Sequence, residues 1–121
     1  MKNIFKFALS GLFILATLGC NSQSGSSSSE SKSSSAASAR VDRGKTIYRT
    51  QCIACHNVDP HKAGSLGPEV FGSSQELLEA RILRAEYPPG YSPKRPSHLM
   101  AALPHLKPEL EAIHAYLNSK E

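Results

Sequence analysis

The chain has 121 residues, 40% of them hydrophobic, with three cysteines, no tryptophan and a formal net charge of +4. That length supports one small domain, whose core would be thin without a cofactor or a covalent staple. Part of the charge surplus sits in Lys2 and Lys6 at the extreme N-terminus, so it gives no ground for a nucleic-acid partner, and none is expected.

Lys2 and Lys6 precede an apolar run, Phe7 to Leu18, broken only by Ser10, Gly11 and Thr17. The run is short for a membrane span and fits the hydrophobic region of an export signal. It ends in Thr17-Leu18-Gly19-Cys20, which resembles a bacterial lipobox, although Thr17 and not Leu stands three residues before the cysteine. Residues 1–19 are therefore expected to be a lipoprotein-type signal peptide, with lipid on Cys20. Ordinary cleavage nearby and an uncleaved anchor remain alternatives; Ala37-Ser38-Ala39 lies too far beyond the run to be favoured.

Residues 20–40 follow as a Ser-rich stretch with hardly any large apolar side chain. Such a segment buries too little surface to offset its ordering entropy and is expected to be a flexible linker. At this length it would span roughly 25 Å r.m.s. and reach on the order of 65 Å when extended. A tether for a membrane-anchored module and a passive spacer are both consistent with it.

Residues 41–121 form the expected domain. A first helix is predicted from about Asp42, with Gly44, Ile47 and Tyr48 at helical spacing, running into Cys52-Ile53-Ala54-Cys55-His56. Cys-x-x-Cys-His is the attachment signature of a covalent c-type haem. Two thiols about one helical turn apart can each add to a vinyl group of one porphyrin, and the next histidine then supplies an axial nitrogen to the iron. The rivals are a redox dithiol and half a zinc site. The first needs a strand-helix-strand unit, whereas the following segment is rich in Pro and Gly; the second lacks a further Cys pair or a His-x-x-x-His. With Cys52 and Cys55 on haem and Cys20 on lipid, no cysteine is left over and no disulfide is expected.

Ser73-Ser74-Gln75-Glu76 offers a capping-box pattern, and Leu77, Leu78, Arg81, Ile82 and Ala85 continue a helical face that should stop before Pro88-Pro89. Pro88 to Pro104 reads as a loop. A last helix is predicted from near Lys107-Pro108, with Glu109 and Glu111 at its positive end and Leu110, Ile113 and Leu117 as its apolar stripe.

On these residues the domain resembles a class I cytochrome c over roughly Val41 to Leu117. The resemblance implies an all-α fold, three or four helices around a covalent haem. It also implies that Gly44, Tyr48 and Tyr116 meet where the first and last helices cross. Gly67-Pro68 matches the family's Gly-Pro, whose proline carbonyl accepts the second ring N–H of the haem histidine. Met100, the one methionine besides Met1, stands where the family places its sulfur ligand. A thioether opposite His56 would raise the potential relative to a second imidazole. His98, in the same loop, is the main rival; His61, His105 and His114 are weaker ones, and an open iron is the further alternative. Tyr91 and Arg95 are candidates for the haem propionates, beside Tyr87. Lys94, Arg95 and Lys107 offer a basic rim.

The reading is a monohaem, lipid-anchored, monomeric electron carrier on the extracytoplasmic side of a bacterial membrane, not an enzyme. It would carry one haem c and exchange single electrons with redox protein partners. A haem subunit of a larger oxidoreductase is the first alternative. A haem enzyme or gas-binding module with an open sixth position is the second. Asn21 after Cys20 leans toward the outer membrane where the host has one.

Overall fold

The computed structural model describes residues 28–120, with side-chain surroundings from residue 33 onward. The export signal, Cys20 and the start of the linker lie outside the described residues. Helix α1 spans Ser28–Gln51, α2 Gln75–Arg84, and a 3₁₀ helix, Pro104–Glu109, runs directly into α3, Leu110–Leu117. No strand occurs among the described residues. None of their helices is long and apolar enough to cross a membrane. The architecture is all-α.

α1 begins at Ser28, well ahead of the Asp42 expected from periodicity. From Ser28 the Ser-rich stretch is helical, and residues 40 and 41 both lie inside α1. Residues 33–40 are exposed, and Val41 is the first to lie against the core. The physical reason is cooperativity. Once the packed segment from Val41 onward is helical, each added residue gains a hydrogen bond without a new nucleation cost, and Ser and Ala are tolerated.

α1 and α3 make the main contact of the fold. Ile47 and Tyr48 from α1 meet Leu110, Ile113, Tyr116 and Leu117, with Leu78 and Ile82 of α2 completing the core. Gly44 permits the crossing: a Cβ there would stand 2.9 Å from Tyr116 Cβ and collide with the Ala112 carbonyl. The Tyr48 and Tyr116 rings pack 5.5 Å apart at 53°, a favourable tilted aromatic pair. The buried Tyr48 hydroxyl donates to the Asn57 carbonyl at 2.6 Å, tying α1 to the chain just past the haem motif. Gly44, Tyr48 and Tyr116 thus come together.

α2 starts as its sequence suggests, with Ser74 accepting from Leu77 N–H at 3.2 Å. Its end differs. Ala85 closes the helix in the left-handed region at φ 57°, instead of extending the apolar face. Ala85 N–H donates to Arg81 O at 3.1 Å and Glu86 N–H to Ala80 O at 3.1 Å, so the left-handed residue turns the chain back onto the last carbonyls of the helix. The last helix also differs at its start. Pro104 and Pro108 hold the chain in 3₁₀ geometry through Glu109, because neither ring has an N–H for the α ladder, and α3 proper begins at Leu110.

Candidate functional site

α1 ends at Gln51, and the chain turns within the Cys52–His56 motif: Cys55 and His56 N–H both donate to Cys52 O, at 3.1 and 2.9 Å. This turn places Cys52, Cys55 and His56 on the wall of a cavity of about 420 Å³. Burial pushes the Cys52 thiol up to about 11, with Cys55 adding to the effect, so its sulfur is held neutral.

The segment after the motif fixes the imidazole. Gly67 N–H donates to Cys55 O at 2.9 Å, bringing the Gly67 backbone flat against the His56 ring. A Cβ at Gly67 would stand 2.5 to 2.9 Å from three ring atoms. His56 Nδ1 lies 2.9 Å from Pro68 O. A carbonyl can only accept, so Nδ1 carries the proton and donates, leaving the Nε2 lone pair free for a metal.

The opposite wall comes from α2 and the loop after it. Leu78, Ile82, Tyr91, Arg95 and Met100 all line the cavity. Leu103 N–H, just past Met100, donates to Ile82 O at 2.6 Å and anchors the loop to α2. Met100 is partly buried against the core, whereas His98 is exposed. Neither His98 nor His61, His105 or His114 lines the cavity. The candidates Cys52, Cys55, His56, Pro68, Tyr91, Arg95 and Met100 thus share one cavity.

Lys94 also lines the cavity, but it is not a free rim charge. It pairs with Glu69 Oε1 at 3.1 Å and donates to Glu69 O at 3.2 Å.

Arg81 is the residue that sequence reasoning passed over. It is buried and on the cavity wall, 4.2 Å above the Tyr87 ring, and its Nη1 donates to Ala85 O. Tyr87 in turn stacks on Tyr91 at 5.4 Å and 7°. The signal was available in part: Arg81 interrupts an otherwise apolar face between Leu78 and Ile82. A buried guanidinium needs an anion or several acceptors, which suits a group carrying carboxylates at one edge.

The donors fit a covalent haem. Two thiols, an imidazole with a free nitrogen and a thioether share an apolar-walled space within the ordinary range for cofactor cavities. Among the described residues no cluster of three or more His, Cys, Asp or Glu offers a competing metal site. A family model for cytochrome c matches residues 41–121. No curated protein and no solved structure matches the chain. With most of its length inside that family match, the chain belongs to the cytochrome c family: it binds haem c covalently, with its iron, and works in electron transfer.

Proposed function

We propose that the protein is a single-electron carrier ligated by His56 and Met100 and held at the extracytoplasmic face of a membrane by lipid on Cys20. The carrying observation is that Met100 lines the cavity of His56 while the other four histidines do not. When bound, the haem supplies a reversible Fe(III)/Fe(II) couple.

The chain's own residues do the rest. Cys52 and Cys55 contribute the two sulfurs for attachment. The Nδ1–H···O=C bond to Pro68 holds the His56 ring and raises the basicity of Nε2. Met100 would supply a thioether sulfur to the iron, which would keep the ligand set the same in both oxidation states and leave small molecules no place to bind. Arg81, Arg95 and Tyr91, which line the same cavity, would hold the propionates. The proposal is a carrier and not an enzyme. Its partners would be redox proteins, met as a monomer.

The test is the far-red absorption of the ferric protein beside Met100→Ala. A weak sulfur-to-iron band that vanishes in the variant supports the carrier. Its absence from the native protein, with carbon monoxide binding to the reduced form, favours the open-site reading. For the anchor, the expected result is fatty-acid labelling of the full chain that is lost in Cys20→Ser.

A further inference from the structure

Phe71 belongs to two cavities. It lines the haem cavity, and it also lines a surface cleft of about 220 Å³ together with Pro60, His61 and Tyr116. Its ring is stacked on the exposed imidazole of His61, centroids 3.7 Å apart and planes 23° apart. Phe71 touches the haem space and is itself 36% exposed, and the His61 ring stacked on it extends the contact into the cleft.

The stack is built, not incidental. Val70 and Phe71 N–H both donate to Pro60 O, at 2.9 and 3.0 Å. On the other side His61 N–H donates to Asp59 Oδ1 at 3.0 Å, and Lys62 pairs with Asp59 at 3.1 Å. Backbone bonds therefore hold both partners in register. The cleft is smaller than the roughly 300 Å³ at which cofactor pockets begin, so it does not house a second redox cofactor.

Electron tunnelling weakens steeply with distance and more steeply across gaps than through packed atoms. An unbroken pair of rings from cavity wall to surface is thus a favourable route. Resting on the haem reading above, we propose that Phe71 and His61 form an electron conduit leading from the haem cavity to the surface cleft.

The experiment uses the haem-loaded protein in variants that keep a single surface histidine, His61 or His105, carrying a photoactive ruthenium complex. On a flash, the excited Ru(II) label loses one electron and becomes Ru(III), and the ferric iron gains it and becomes ferrous; no bond or proton moves. Phe71→Leu is expected to slow transfer from His61 about tenfold and to leave transfer from His105 unchanged, while Phe71→Tyr keeps the native rate. Equal slowing at both sites, or none at His61, overturns the conduit. Independently, the His61 ring protons of the ferrous protein should be shifted upfield in the NMR spectrum, and the shift should disappear in Phe71→Leu. Unshifted protons in the native protein would also overturn it. Electron arrival from His105 in every variant shows that the haem reading stands even if the conduit fails.

Discussion

Lys94 is tied to Glu69: its ammonium donates to the Glu69 carbonyl and pairs with the Glu69 carboxylate. The pair joins the loop that carries Met100 to the segment that begins with Pro68, so two opposite walls of the haem cavity are clasped at an exposed point.

A backbone hydrogen bond and then Lys94 hold the Glu69 carboxyl below its usual range. A lowered carboxylate stabilises the folded form above its unfolded value, about 4.3, and that contribution is lost as pH falls through the folded value. Lys94→Gln should therefore let added imidazole displace Met100 faster at pH 7 and low salt. The difference should shrink in high salt, because both groups are exposed; in denaturation midpoints it should fade as the pH falls through the lowered Glu69 range. Stopped-flow displacement kinetics check this.

The Gly67–His56 contact is stricter. With no room for a methyl group against the ring, Gly67→Ala should push the imidazole off the Pro68 carbonyl. Overpacking of this kind costs about 1–3 kcal/mol. The expected outcome is a lower melting temperature together with a shifted midpoint potential, because ring orientation and basicity both change. A potential equal to that of the native protein would count against the geometry.

Ala85 holds a positive φ that suits glycine. An L side chain in this region costs about 1–2 kcal/mol, and glycine gives part of that back as unfolded-state entropy. Ala85→Gly should stabilise the protein by about 0.5–1 kcal/mol, read as a shift in the denaturation midpoint with an unchanged slope.

Removing the haem should unfold the domain. A cavity of about 420 Å³ with mostly apolar walls would be opened to water, at roughly 25 cal/mol for each Å² exposed. A small domain has only about 5–15 kcal/mol of stability to set against that loss. Chain made without haem attachment, or as Cys52→Ser with Cys55→Ser, should show weak helical circular dichroism and poorly dispersed NMR spectra.

Short-range patterns were readable because their causes are local. The sulfur-to-sulfur spacing, the Ser74 cap, the apolar stripe of α3 and the proline-rich loop follow from hydrogen bonds and side-chain periods within a few residues. Gly44, Tyr48, Tyr116 and Gly67-Pro68 came from resemblance to a family, and here each lies in the contact that resemblance implies.

What only the tertiary structure decided involves residues far apart in sequence. Periodicity could not say that Met100 faces the cavity while His98, two residues away, faces solvent; that depends on the Leu103 bond to Ile82 and on α2 packing beneath the loop. Nor could it place Arg81 in the wall, pair Lys94 with Glu69, or lay His61 on Phe71. The early start of α1 and the left-handed turn at Ala85 run against the local signals of Ser-rich and Ala-containing segments. In both, backbone hydrogen bonding in the assembled fold outweighs an intrinsic preference of about 1–2 kcal/mol or less per residue. Local chemistry chose which atoms can hold the haem, and packing chose which of them meet.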